Sequence, residues 1–113
     1  MIDWSHIKEL ESEIGAEDFG DIIEVFIEEV DEAVTGLDGA SLVGEELASA
    51  MHFLKGSAAN LGFTDLANYC SAGEEIARAG DNGKVDLDKV AEIYNASKAQ
   101  FMSEASNHIS YAP

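Results

Sequence analysis

Apolar residues recur at helical spacing along almost the whole chain, and the single proline is Pro113. A chain patterned in this way, with no interior proline, has little choice but to form helices. The clearest stretch lies between 43 and 61, where Leu47, Met51, Leu54, Ala58 and Leu61 follow a 4-3-4-3 spacing. That spacing lines one side of a helix and suits the seam of a bundle. No stretch alternates apolar and polar residues for long enough to argue for a strand.

The same periodicity organises the remainder. Trp4, Ile7, Leu10 and Ile14 predict a short helix over about 4–14, ended near Gly15. A wide stripe including Phe19, Ile23, Ile27, Val30 and Val34 predicts a long second helix over about 17–37, broken by "GLDGAS". The third helix, about 43–61, stops at Gly62, and Thr64 and Asp65 can open a fourth over about 64–79. Its buried side would hold Leu66, Ala67, Cys70, Gly73 and Ala77. Asp86 is a natural N-cap for a last helix over about 86–108, which would bury Leu87, Val90, Tyr94 and Phe101. The expected fold is all-α: an antiparallel four-helix bundle with a short additional N-terminal helix laid across one end. At 113 residues, 1–113 reads as one domain.

Charge then removes whole classes of partner. The formal net charge is −17, which repels nucleic-acid backbone and anionic membrane. No stretch approaches the ~20 apolar residues of a membrane span. The opening "MIDWSHIKELESE" has no signal-peptide pattern, and one cysteine, Cys70, cannot form an internal disulfide. A reducing compartment, the cytoplasm, is expected.

Against that acidic background one cation stands out. From Glu9 to Leu54 there is no Lys or Arg, and Lys55 follows His52 by three residues. His52 falls off the Met51–Leu54 seam. Its neighbours one and two turns away are Ala48, Lys55, Gly56 and Ala59. Small residues of this kind leave an imidazole uncovered and open to a large partner. Gly56 costs about 1 kcal/mol relative to Ala inside a helix. Two reasons could justify it: a close helix–helix approach, or clearance beside His52. A neutral imidazole nitrogen is a good nucleophile near neutral pH. Attack on a phosphoryl group would give a covalent phosphohistidine, whose new negative charge Lys55 would offset.

The run "HFLKGSAANLG" resembles the signature of histidine-containing phosphotransfer (HPt) domains, roughly H-x-L-K-G-[SA]-[SA]-x-x-[LI]-G. It matches at His52, Leu54, Lys55, Gly56, Ser57, Ala58, Leu61 and Gly62. The resemblance implies a four-helix bundle with an exposed phosphoacceptor histidine midway along one helix. It implies a phosphorelay intermediate, exchanging phosphoryl groups with aspartates of receiver domains, its partners being response-regulator receiver domains and/or a hybrid sensor histidine kinase. By it His52 is the phosphoacceptor through Nε2, Lys55 the phosphate neighbour and Gly56 the room for the receiver. Phe53 is either part of a docking patch or an aromatic left in solvent. Some family members present a Gln beside the histidine from an adjacent helix. The one Gln here, Gln100, is far along the chain, so the partner of the second ring nitrogen stays open.

No cofactor or metal is expected in this chain, because no His/Cys pair has zinc spacing and "DNGKVDLDK" lacks an EF-hand ladder. Mg²⁺ would belong to the receiver. There is no glycine-rich phosphate loop and no room for an ATP-binding domain, so phosphohistidine would not be made from ATP by this chain alone. A monomer is expected. The span from Met1 to a point just past the last helix fits a freestanding protein, although chemotaxis kinases begin with a similar domain. His6 and His108 lack the small-residue surround of His52 and read as structural. Two other classes fit the sequence less well. An acyl carrier protein is also a small acidic helical bundle, but Ala40 stands where its Asp would precede Ser41 and Leu42. A non-catalytic module that binds a receiver or kinase would be expected to have lost the histidine.

Overall fold

A computed structural model describes residues 1–37 and 42–110. Among these residues the chain forms α1 (Trp4–Ile14), α2 (Ala16–Thr35), α3 (Gly44–Asn60), α4 (Thr64–Arg78), a short 3-10 turn (Asn82–Lys84) and α5 (Leu87–His108). The sequence places α2 two residues too far at its C-terminal end. Leu37 is buried there, but Gly36 already caps the helix.

The core is the union of the predicted stripes. Phe19, Ile23, Val30, Leu47, Met51, Leu54, Ala58, Leu61, Leu66, Cys70, Val90 and Phe101 are all essentially inaccessible. Fully burying one side chain of this kind is worth roughly 1.5–3 kcal/mol, so the seam residues dominate the stability of the bundle. Ala67 and Leu87, expected inside, are only partly covered and pack on its rim.

α1 closes one end of the bundle. Its Ile7 is fully buried, and Trp4 stacks on Phe101 (5.4 Å) and His108 (4.3 Å) near the end of α5. The Asp3 side chain caps the helix by accepting from the His6 amide. The segment before it runs antiparallel to the α3–α4 corner, where the Asp3 amide donates to the Gly62 carbonyl at 2.8 Å. Gly62 makes that corner possible. Its φ is +70°, and a Cβ there would lie 2.9 Å from the Asp3 carbonyl oxygen.

α3 packs chiefly on α4. A Cβ on Gly73 would sit 3.1 Å from the Met51 sulfur, so a glycine at this crossing lets the two helices come close. The next residue along α4 is Glu74, and the close approach carries it to the flank of α3.

Candidate functional site

The site is built where that flank meets α4. His52 lies one position past the buried Met51, and a 100° step turns its ring outward, leaving the side chain 65% exposed. One ring nitrogen is nonetheless engaged. His52 Nδ1 lies 3.0 Å from Glu74 Oε2 and 3.2 Å from Oε1. Lys55, one turn on, donates to Glu74 Oε1 at 2.7 Å. Arg78, one turn along α4, donates through Nη2 at 2.9 Å and Nε at 3.2 Å to Oε2. Its remaining Nη1 reaches Glu45 at the start of α3, at 3.0 Å. Arg78 is the only arginine in the chain, and it bridges the Glu74 carboxylate of α4 and the Glu45 carboxylate of α3.

This surround fixes the state of Glu74, whose side chain is only 11% exposed. Hydrogen bonds from Lys55 and Arg78 outweigh the cost of burial, His52 adds to them, and the carboxyl is held down at about 2. It is therefore an anion through the neutral range, and an ionised carboxylate can only accept. A neutral His52 ring must then carry its proton on Nδ1. The lone pair is left on Nε2, the nitrogen that faces away from Glu74. That division of roles follows from hydrogen-bond chemistry and defines a nucleophile with a fixed tautomer.

The sequence-derived residues separate into two groups. Gly56 and Ala59 are exposed beside His52, and a Cβ on Gly56 would meet nothing within 4 Å. Close helix packing within this chain therefore does not account for that glycine. Phe53 is 48% exposed, unusual for a phenylalanine, and lies next to His52. Ala48 is the correction. It was expected on the open flank but is fully buried, because the N-terminal half of α3 packs a wider face inward, with Leu47 and Ala48 both covered. His108 is stacked on Trp4, and the His6 ring has a buried Nε2 without a partner among the described residues. Ala40 and Ser41 lie outside the described residues.

Three residues of the site escaped sequence reasoning: Glu74, Arg78 and Glu45. Glu74 is one acid of 23, and only its neighbours distinguish it. It follows Gly73 and stands four residues before the sole arginine, a helical i, i+4 ion pair. The charge pattern on α3 offers a further signal. No Asp or Glu occurs between Glu46 and Asp65, so the outward face Ser49, His52, Phe53, Gly56, Ala59, Asn60 is an acid-free window on an acidic surface.

An all-helical bundle presenting one tautomer-fixed histidine beside a lysine defines a histidine phosphotransfer type of protein. The family model for the Hpt domain matches residues 21–108, and the chain belongs to that family. It is also 37% identical over 76 residues to the phosphorelay intermediate protein YPD1 of Candida albicans (strain SC5314 / ATCC MYA-2876). The aligned part takes in 62% of this chain and 40% of that relative, so the chain spans less than half the length of the curated protein it matches. No solved structure gives a match. No helix among the described residues is long and apolar enough to cross a membrane.

Proposed function

We propose that this chain is a phosphorelay intermediate in which His52 takes a phosphoryl group from the aspartate of one receiver domain and gives it to the aspartate of another. The observation that carries the proposal is the asymmetry of the ring: Nδ1 is held by an ionised carboxylate and Nε2 is left with its lone pair on an open flank. In the forward step the Nε2 lone pair forms the N–P bond. The aspartyl O–P bond breaks, and its electron pair leaves with the carboxylate. The reverse step returns the pair to Nε2.

The remaining residues serve approach and charge. Lys55, 35% exposed, lies one turn from His52 and can turn toward an added phosphoryl group. Gly56 gives a receiver backbone or side chain room beside the ring. Phe53 offers an apolar contact, and the acid-free face of α3 meets the acidic phosphorylation pocket of a receiver without the repulsion that the rest of the surface would impose. Mg²⁺ belongs to that receiver pocket. The chain works as a monomer in the cytoplasm, draws its phosphoryl groups from a receiver or hybrid sensor kinase, and has no ATP-dependent kinase activity of its own.

The test is direct. Incubation with a phosphorylated receiver should place acid-labile label on the wild-type protein and none on His52→Gln. Label on the variant would overturn the assignment, and tight receiver binding without labelling of the wild type would favour a non-catalytic binding module.

A further inference from the structure

The imidazole partner here is a carboxylate, and a carboxylate does more than orient a ring. The inference that follows rests on the reading of His52 as phosphoacceptor and concerns the proton on its other nitrogen. When Nε2 of a neutral, Nδ1-protonated ring bonds to phosphorus, the ring takes on formal positive charge shared by both nitrogens. If it then loses the Nδ1 proton, the phosphoryl group must later depart from an imidazolate, a poor leaving group. If it keeps that proton, the group departs from a neutral imidazole.

We propose that Glu74 holds the proton on His52 Nδ1 through the whole transfer cycle, so that the phosphoryl group is carried as a phosphoimidazolium and its departure leaves a neutral ring ready for the next attack. Both carboxylate oxygens stand within reach of Nδ1, at 3.0 and 3.2 Å. No proton has to move in either direction: N–P bond formation consumes the Nε2 lone pair, and its cleavage restores it. Glu74 is thus a positioning residue that acts through His52.

The local charges suit this role. On α3 the ionisable groups facing the pair are Lys55 and Glu45; on α4 they are Glu74 itself and Arg78. Their formal charges cancel, so the site neither expels a ring cation nor depends on one. Of the lysines on the later elements, Lys84 pairs with Asp81, Lys89 with Glu92 and Lys98 with Asp31. Lys55 and Arg78 keep Glu74 ionised at every pH at which the protein would be assayed. A change of behaviour with pH in the neutral range is therefore not Glu74's own titration.

The experiment compares wild type with Glu74→Gln, which keeps an acceptor for Nδ1–H but removes the charge. Both proteins are charged by a phosphorylated receiver, isolated, and discharged onto the unphosphorylated receiver between about pH 6 and about pH 9, with rates taken as a ratio so that the receiver's own pH dependence cancels. Both should be labelled at His52. The wild-type to variant rate ratio should grow about tenfold from the acid to the alkaline end, as the variant's ring sheds its proton and slows. A ratio constant with pH would overturn the inference and leave Glu74 as an orienting group only. Should the variant fold poorly, ¹⁵N NMR of the phosphorylated wild type gives the same answer. Nδ1 should remain protonated to the alkaline end, and an unprotonated Nδ1 in the neutral range would contradict the inference. Absence of label on wild-type His52 would instead remove the phosphoacceptor reading beneath it.

Discussion

Glu74 and Asp31 are built alike. Each accepts from a lysine on a neighbouring helix, Glu74 from Lys55 at 2.7 Å and Asp31 from Lys98 at 3.0 Å. Each also accepts from a ring about one turn away from that lysine: His52 for Glu74 and the Tyr94 hydroxyl for Asp31. Partial burial raises the Asp31 pKa, but the Tyr94 and Lys98 hydrogen bonds prevail and hold its carboxyl below the ordinary range. The same balance holds Glu74 down at about 2. What separates them is the ring. Tyr94 is 2% exposed, has a single heteroatom, and spends it on Asp31 and the Ile27 carbonyl. His52 has a second nitrogen, and that nitrogen is in the open. A carboxylate–lysine–ring arrangement locks a core in one case and leaves a nucleophile poised in the other.

Substitutions should break the two arrangements in opposite ways. Glu74→Ala should cut phosphoryl transfer per folded molecule by about 10- to 100-fold, the cost of removing a group that orients a reactive imidazole. Tyr94→Ala should do the reverse. Chemical denaturation should show a loss of about 3–5 kcal/mol, as for other buried aromatics, with label uptake per folded molecule unchanged. Were Tyr94→Ala to lower uptake per folded molecule as much as Glu74→Ala, the two clusters would not be separable in function.

Smaller effects sharpen the contrast. Lys55→Ala should slow uptake or shorten the phosphohistidine lifetime by about tenfold, seen in a time course of label decay, and should leave the fold intact. Gly56→Ala should raise stability by about 0.5–1 kcal/mol, because nothing lies within 4 Å of the added methyl group, and yet slow transfer from the receiver. A variant both more stable and equally fast would show that the glycine is not needed for approach. Least marked is the pH response of stability. Both carboxyls are depressed in the folded state, so each stabilises the fold above its unfolded pKa. That contribution fades as pH falls through the folded value, which for Glu74 means between about 4.5 and about 2. Asp31→Asn and Glu74→Gln should each flatten the acid limb of a denaturation-versus-pH curve.

The helices and their seams were legible because periodicity is a local property. Leu47, Met51, Leu54, Ala58 and Leu61 announce a buried stripe, and they are buried. His52, Lys55 and Gly56 were legible for the same reason, since one helix carries all three. Glu74 was not. Its partnership depends on how far α4 is rotated and how closely it approaches α3, which Gly73 and Met51 decide together across 22 residues of sequence. The pairing of Asp31 with Tyr94 was hidden in the same way, although the periodicity of α5 already placed Tyr94 inside. Ala48 shows the opposite error: spacing places it below His52, but helical spacing alone does not say how wide a face the neighbouring helices cover.

The central claim is that His52 Nε2 takes the phosphoryl group while Nδ1 stays with Glu74. It is tested most directly by charging ¹⁵N-histidine-labelled protein with a phosphorylated receiver and reading the His52 ring by long-range ¹H–¹⁵N correlation, with ³¹P coupling to identify the bonded nitrogen. The expected result is a ring protonated on Nδ1 beforehand and phosphorus coupled to Nε2 afterwards. Phosphorus on Nδ1, or on His6 or His108 instead, would contradict it.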